Sequence, residues 1–483
     1  MAGGVLIAWP VVSFILFAAL GPARGLIWSV MIGYLFLPEG FGFDVAGLPP
    51  YDKGSAVSFG LLLPALVFWR RVDRIPVADP LFRTVVLSCL AVLLLAGFGT
   101  YASNPETLVN GPIVRPALSQ RDAISMMSDM MLWFLPFLLA WRFLRTPEHH
   151  REVLIAVIAL GLAYTFLVLF ELRMSPQLNK WIYGYFPHSW RQHLRSGGYR
   201  PIVFLRHGLW VGFFLFSVAV AAMALSRDKT MSRPLLIIAA LWVFMVLALS
   251  RNLGATMLAV MFLPIVLIVG FRTQVRIASV AALVLLSYPM LSQASLTPAT
   301  KLLEIVSPLS PDRAQSLKFR LDNEQLLLER AMQKPAFGWG GWSRQRVLDE
   351  RGRDQTLTDG LWIVIAGQRG WVGYLAFFGL LSLPVLFLRR AARRKKITPA
   401  IGGMAVITTG NFVYMIPNST LSPVAFLMLG AMAAFVLYSP AEDATSAAGS
   451  AAPDRDGRAR YTRFAPKESG GVGQPMPLQR SLR

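Results

Sequence analysis

Residues 207–226 read HGLWVGFFLFSVAVAAMALS, twenty positions without an Asp, Glu, Lys or Arg. Twenty residues of α-helix reach about 30 Å, the thickness of a bilayer's hydrocarbon core, so this stretch reads as a membrane-spanning helix. The pattern repeats along the chain. Long apolar runs with at most two charged residues, bounded by charged or turn residues, fall at about 5–20, 25–38, 55–69, 82–98, 126–144, 152–172, 234–250, 253–271, 277–291, 361–388, 400–417 and 421–438. The spacing predicts an all-α, polytopic membrane helix bundle of about twelve or thirteen spans. The first two runs are short, and a hairpin or shallow pair suits them as well as two full spans. Met1–Pro10 lacks the basic start of a cleavable signal.

Composition points the same way. Of 483 residues, 55% are hydrophobic and 15% charged, against roughly a quarter charged in an ordinary soluble domain. A cytosolic enzyme is excluded. Thirteen spans would use about 260 positions, close to the whole apolar inventory, which leaves little for a separate soluble core. The formal charge of +21 fits basic loops at anionic headgroups rather than nucleic acid. A single cysteine, Cys89, lies inside an apolar run; intrachain disulfides, zinc clusters and thiol-pair redox chemistry are excluded, and no metal or cofactor is expected.

Orientation follows from the distribution of Lys and Arg. The run Arg389-Arg390-Ala-Ala-Arg393-Arg394-Lys395-Lys396 and the tail with Arg455, Arg458, Arg460, Arg463 and Lys467 belong in the cytoplasm by the positive-inside rule. Counting back places 272–276, 227–233, 145–151 and 70–81 on the same side, each with at least two basic residues. Three longer segments then face outward: 99–125, 173–206 and 292–360. Residues 1–440 form the bundle with these loops, and 441–483, rich in Ala, Ser, Gly and Pro, has the composition of a disordered tail.

The outer loops carry the candidate chemistry. Segment 173–206 holds Arg173, Lys180, Arg191, Arg195, Arg200 and Arg206 and no acidic residue, on the side where topology does not call for positive charge. Trp181, Tyr183, Tyr185 and Trp190 suit sugar faces or the headgroup layer; snorkelling arginines and interfacial aromatics explain the same composition. His188, His193 and His207 also lie here and fit either acid–base or structural roles. Arg251, in LALSRNLGATML, sits between two apolar runs, as an interface-seeking side chain or as a planar fork for a pyrophosphate. Ser310-Pro311-Asp312 starts a helix that continues with Leu317, Leu321, Leu328 and Met332 on one face and stops at PAFGWGGW, 335–342. This predicts an amphipathic outer helix. Asp359 then opens an apolar stretch too long for one span, with Gly370 as the expected break; its carboxylate suits a helix cap or a base at the lipid–water boundary.

In order, GYRPIVFLRHG (Arg200, Arg206, His207), LSRNLGA (Ser250, Arg251), ERAMQKPAFGWGGW and TDGLWIVIAGQRGWVGY resemble the O-antigen ligase and O-antigen polymerase superfamily of bacterial membrane glycosyltransferases, over residues 195–390. The resemblance implies a GT-C-like fold with a partly helical extracytoplasmic loop in the bacterial inner membrane, and a metal-independent active site on its periplasmic face. It also implies the partners: a polyprenyl-diphosphate-linked glycan as donor, an acceptor glycan or glycolipid, and the lipid bilayer. By the same resemblance Arg200 and Arg251 hold the diphosphate and Asp359 orients or deprotonates the acceptor. Arg206, His207, Arg195, Arg191, Arg320 and Trp190 complete the expected binding surface. Ligases of this family carry His where this chain has Asp359, so the polymerase branch is favoured and ligation to a lipid A core is the alternative. No outer segment carries an Asp-x-Asp signature for a nucleotide sugar. A lipid-linked oligosaccharide flippase or transporter also wants outer basic groups, but it needs ionisable residues along its spans, and 153–170, 207–226 and 253–270 are nearly free of them.

Overall fold

The computed structural model describes residues 1–44, 49–72, 75–188, 190–195, 197–294, 311–341, 343–356 and 359–438. Ser310 and the tail 441–483 lie outside the described residues. Within them the chain forms fourteen α-helices and three two-stranded hairpins. Each apolar run coincides with a helix or half-helix.

α1 (Ala2–Phe36) is a helical hairpin, reversed at Gly21 (φ 78°, ψ 170°) ahead of Pro22. α2 (Lys53–Phe68), α3 (Pro80–Ala102), α4 (Gln120–Phe143) and α5 (Pro147–Met174) follow, then the short α6 (Leu178–Tyr183). The core is α7 (Gly208–Leu225), where residues 211–225 are all buried. Its sequence is apolar around the whole circumference, and such a helix must be enclosed on every side; α5, α8 (Arg233–Leu249), α9 (Leu253–Ile268) and α13 (Pro399–Met415) enclose it. α8 and α9 turn Leu235, Ile238, Leu241, Met257 and Val260 outward, the exposure expected of lipid-facing surface. α10 (Phe271–Gln293), α11 (Pro311–Met332), α12 (Leu361–Ala391) and α14 (Pro423–Leu437) complete the molecule. Seven helices, α1, α3, α4, α5, α7, α10 and α12, are long and apolar enough to cross a membrane, and α8, α9 and α14 are shorter apolar helices. The chain is mostly helical, and its seven long apolar helices fit a multi-pass membrane protein.

α11 is the expected amphipathic helix: Leu327, Leu328 and Ala331 are buried against α12. The expected break in α12 is also present, with Gly370 at φ 59° and ψ −167°. Breaking a helix frees carbonyls on one side and N–H groups on the other. Residues 335–340 take up both sets. The N–H groups of Trp339 and Gly340 donate to the carbonyls of Gly367 (2.9 Å) and Gln368 (2.8 Å), while those of Trp371 and Val372 donate to Pro335 (2.7 Å) and Ala336 (3.1 Å). A Cβ on Gly370 would lie 2.5 Å from the Ala336 carbonyl, so only glycine permits the interlock.

The helix ends gather into two faces. One, here the loop face, collects 37–44, 49–52, 103–119, 175–188, 190–195, 197–207, the α8–α9 turn, α11 and the start of α12; typical ties are Tyr183 Oη to the Phe36 carbonyl (2.5 Å) and Asn104 Nδ2 to the Gly338 carbonyl (2.9 Å). The other, the basic face, joins Arg24 to Glu152 (3.4 Å), Ala78 to Leu437 (2.7 Å) and Arg151 to Thr230 (2.7 Å).

Candidate functional site

Arg251 occupies the two-helix turn of α8 and α9 in the left-handed backbone region, at φ 58°, which a long side chain adopts at a cost of about 1–3 kcal/mol and keeps only where its surroundings over-determine it. Those surroundings are specific. Buried Asn252 donates from Nδ2 to the Gly208 carbonyl (3.0 Å) and accepts from Tyr414 Oη (3.0 Å). Arg200 Nη2 donates to the Arg251 carbonyl at 3.2 Å. A Cβ on Gly198 would fall 2.3 Å from Arg251 Nη2; glycine there lets the 173–206 loop close over the guanidinium.

Two further predicted residues share this neighbourhood. Arg320 on α11 pairs with Asp359 (Nε to Oδ2, 3.5 Å), each side chain 48% exposed. Tyr414 lies within electrostatic reach of both Arg200 and Arg320. Two pairs from four separate segments, Arg200–Arg251 and Arg320–Asp359, therefore lie on the loop face, each with an arginine in reach of Tyr414. Asp359 is not a cap: the N-cap of α12 is Gly360, which makes no side-chain cap bond. An exposed ion pair contributes little to stability, so Arg320–Asp359 is poorly explained as a structural device.

The loop that carries Arg200 and Arg206 is fixed by a residue not singled out in the sequence. Glu171, fully buried near the end of α5, accepts from the N–H groups of Ile202 (2.9 Å), Val203 (2.7 Å) and Leu178 (3.1 Å). Val203 sits at φ 52°, a strained geometry for a β-branched residue. Tyr164 Oη accepts from Phe204 N–H (3.2 Å), and Lys53 Nζ donates to the Phe204 carbonyl (2.6 Å). The only sequence signal was an isolated acid at the edge of an apolar run.

Arg206 faces a different place. It lines a cavity of about 220 Å³ with Glu39, Asp52, Lys53, Asp129 and Trp133. Burial pushes the Glu39 carboxyl above its ordinary range, against the opposing pull of Lys53 and Arg206. Leu361, two residues past Asp359, forms part of the wall, so this cavity adjoins the arginine cluster.

The remaining predicted residues divide. His207 caps α7, its Nδ1 accepting from Leu209 N–H at 3.1 Å. His188, His193 and His207 form a cluster with ring centroids 5.1–5.3 Å apart; among the described residues no group of His, Cys, Asp or Glu is arranged to hold a metal ion. Burial, then the His188 and Arg200 charges, lower the His193 pKa to about 4. Trp190 is partly exposed and packs on Phe186 (5.1 Å) and Tyr199 (5.9 Å). Tyr183 and Tyr185 are loop ties, donating to the carbonyls of Phe36 and Glu39, and Trp181 lies on Phe170 (5.4 Å). Arg191 and Arg195 belong to a short 3-10 turn and a strand, with their side chains outside the described residues. No protein-family model matches this chain, and no curated protein matches it.

Proposed function

We propose that this protein is a membrane glycosyltransferase that moves a glycan from a polyprenyl diphosphate carrier to a sugar hydroxyl, as a surface-polysaccharide polymerase, on the non-cytoplasmic side of a bacterial inner membrane. The observation that carries the reading is the presence of two arginine contacts on the loop face, Arg200 on the Arg251 carbonyl and Arg320 on Asp359, with Tyr414 in electrostatic reach of Arg200 and Arg320. In the reaction the acceptor oxygen attacks the anomeric carbon, the bond from that carbon to the diphosphate oxygen breaks, and the hydroxyl proton passes to the Asp359 carboxylate. Negative charge grows on the leaving diphosphate. Guanidinium groups held in place favour that charge as it develops, and Arg does so better than Lys because it offers a planar, permanently charged fork.

The basic face supports the orientation: it carries the Arg389–Lys396 run, which the positive-inside rule assigns to the cytoplasm. The arginine cluster then faces the outside, where nucleotide sugars are absent and a lipid-linked donor is the available kind. Ligation to a lipid A core uses the same groups with another acceptor. A transporter needs ionisable groups free to load and release along the spans; Glu171 is instead committed to three backbone N–H groups. The test is to supply the purified protein with lipid-linked repeat units. Longer lipid-linked chains and released polyprenyl diphosphate are the expected products; movement of intact donor across liposomes without new glycosidic bonds contradicts the proposal.

A further inference from the structure

The cavity beside the arginine cluster has the opposite chemistry. Three carboxylates, Glu39, Asp52 and Asp129, line it against two cations, Lys53 and Arg206. Its carboxylates and Lys53 are already engaged within the protein. Glu39 lies 3.9 Å from Lys53, which also donates to the Phe204 carbonyl at 2.6 Å. Asp52 caps α2 by accepting from Ser55 N–H at 3.1 Å, and Asp129 lies 3.8 Å from Arg369. A diphosphate entering here would face carboxylates whose neutralising partners are taken. Uncharged hydroxyls, which donate and accept at once, meet both kinds of partner.

The rest of the wall adds aromatic surface from Tyr34, Trp133 and Trp210, amphipathic groups suited to the apolar face of a sugar. The volume of about 220 Å³ is below the roughly 300–1,000 Å³ of sites for drug-sized ligands, room for a single ring. The position is equally restrictive. Leu361 and Ser419 both line the cavity, and a Cβ on Gly360 would touch the Ile416 carbonyl at 2.2 Å, so the turn into α12 at Asp359–Leu361 lies beside the cavity wall.

We propose that this cavity seats one uncharged, hydroxyl-rich sugar ring, the acceptor end of the transfer, with its reacting hydroxyl turned toward Asp359. This rests on the glycosyl-transfer reading. Glu39 and Asp129 bind ring hydroxyls from one side while the tryptophans cover an apolar face.

The test uses the full chain with Cys89→Ser and a reporter at the cavity mouth, Ser419→Cys, purified in a detergent without a sugar headgroup; Leu421→Cys is a second reporter should the first not fold. The thiolate displaces methanesulfinate from each methanethiosulfonate reagent, leaving a mixed disulfide. Relative to free cysteine, the uncharged glucosyl reagent is expected to react at least tenfold faster than the anionic sulfonatoethyl reagent. Farnesyl diphosphate, a probe of the arginine cluster, is expected to bind without protecting the thiol. Faster reaction with the anion, or protection by farnesyl diphosphate, overturns the proposal by making the cavity a diphosphate site. Exclusion of the glucosyl reagent while methyl methanethiosulfonate enters also overturns it, because no ring then fits. Failure of farnesyl diphosphate to bind the unaltered chain counts against the arginine cluster instead, and leaves the reagent selectivity to be read independently.

Discussion

The two faces of the bundle use the same side chains for different ends. On the basic face three cations finish on backbone oxygens: Arg142 Nη2 donates to the carbonyls of Trp69 (3.1 Å) and Val72 (2.5 Å), Arg227 Nη1 to Val266 (2.7 Å) and Val269 (2.6 Å), and Lys395 Nζ to Phe435 (2.7 Å), while Arg24 and Arg151 meet side chains. The first three cap the ends of neighbouring helices, where a positive charge meets unpaired carbonyls and the negative end of the helix dipole. On the loop face Arg200 leans on the Arg251 backbone, Arg320 meets Asp359, and Arg206 meets Glu39 across a cavity. Arg344 is the instructive exception there, buried and donating to the carbonyls of Pro116 (2.6 Å) and Glu106 (3.1 Å). Ending on an exposed carboxylate separates Arg320 from these helix clamps, while Arg200 shares their kind of partner and is set apart by what it holds, the strained Arg251 turn.

That contrast predicts unequal responses to conservative change. Arg251→Lys keeps the charge and loses the planar fork; transfer is expected to fall about 100-fold or more, whereas Arg227→Lys on the basic face leaves the rate within about twofold, both read by product formation from lipid-linked repeat units. Equal losses at the two sites erase the distinction. Because Asp359 is not a cap, Asp359→Asn and Asp359→Ala should behave alike, each lowering turnover by about 100-fold with little change in thermal midpoint. A fully active Asn variant removes proton transfer from its role.

Anchors come next. Glu171→Ala leaves three N–H groups without an acceptor, two of them buried, each buried one a loss of about 1–3 kcal/mol. It is expected to lower stability, raise the KM for the diphosphate lipid about tenfold and recover in part with Glu171→Asp. Arg142→Ala, an anchor on the other face, should cost stability with KM unchanged. The smallest effect concerns His193. Its folded pKa of about 4 lies below the unfolded value near 6.5, so the stabilising contribution is complete above pH 6.5 and declines as pH falls toward 4. The slope is about 1 kcal/mol per pH unit. Melting curves at pH 7 and pH 5 should show it, and His193→Phe should flatten it; an unchanged slope assigns the pH dependence elsewhere.

Much of this architecture was legible in the sequence because lipid imposes it. Each apolar run became a helix or half-helix, and the excess length after Asp359 foretold the break at Gly370. The partner of that break did not emerge: PAFGWGGW read as a weak turn, since its role depends on carbonyls and N–H groups some thirty residues away. The arginines of the loop face were legible as charges placed where topology does not need them. Glu171, Lys53 and Glu39 were not, because each looks like an ordinary helix-end residue until its distant partners are known. Tyr183 and Tyr185 illustrate the converse, aromatic rings suited to sugars whose hydroxyls tie a loop to α1 and its following linker.

The central claim is that Arg200 and Arg251 hold one diphosphate together. A double-mutant cycle tests it most directly, with farnesyl diphosphate titrated into the unaltered protein, Arg200→Lys, Arg251→Lys and the double variant. Joint grip predicts a coupling of at least about 1 kcal/mol between the two substitutions. Losses that add to within about 0.3 kcal/mol, or affinity that neither substitution changes, contradict it.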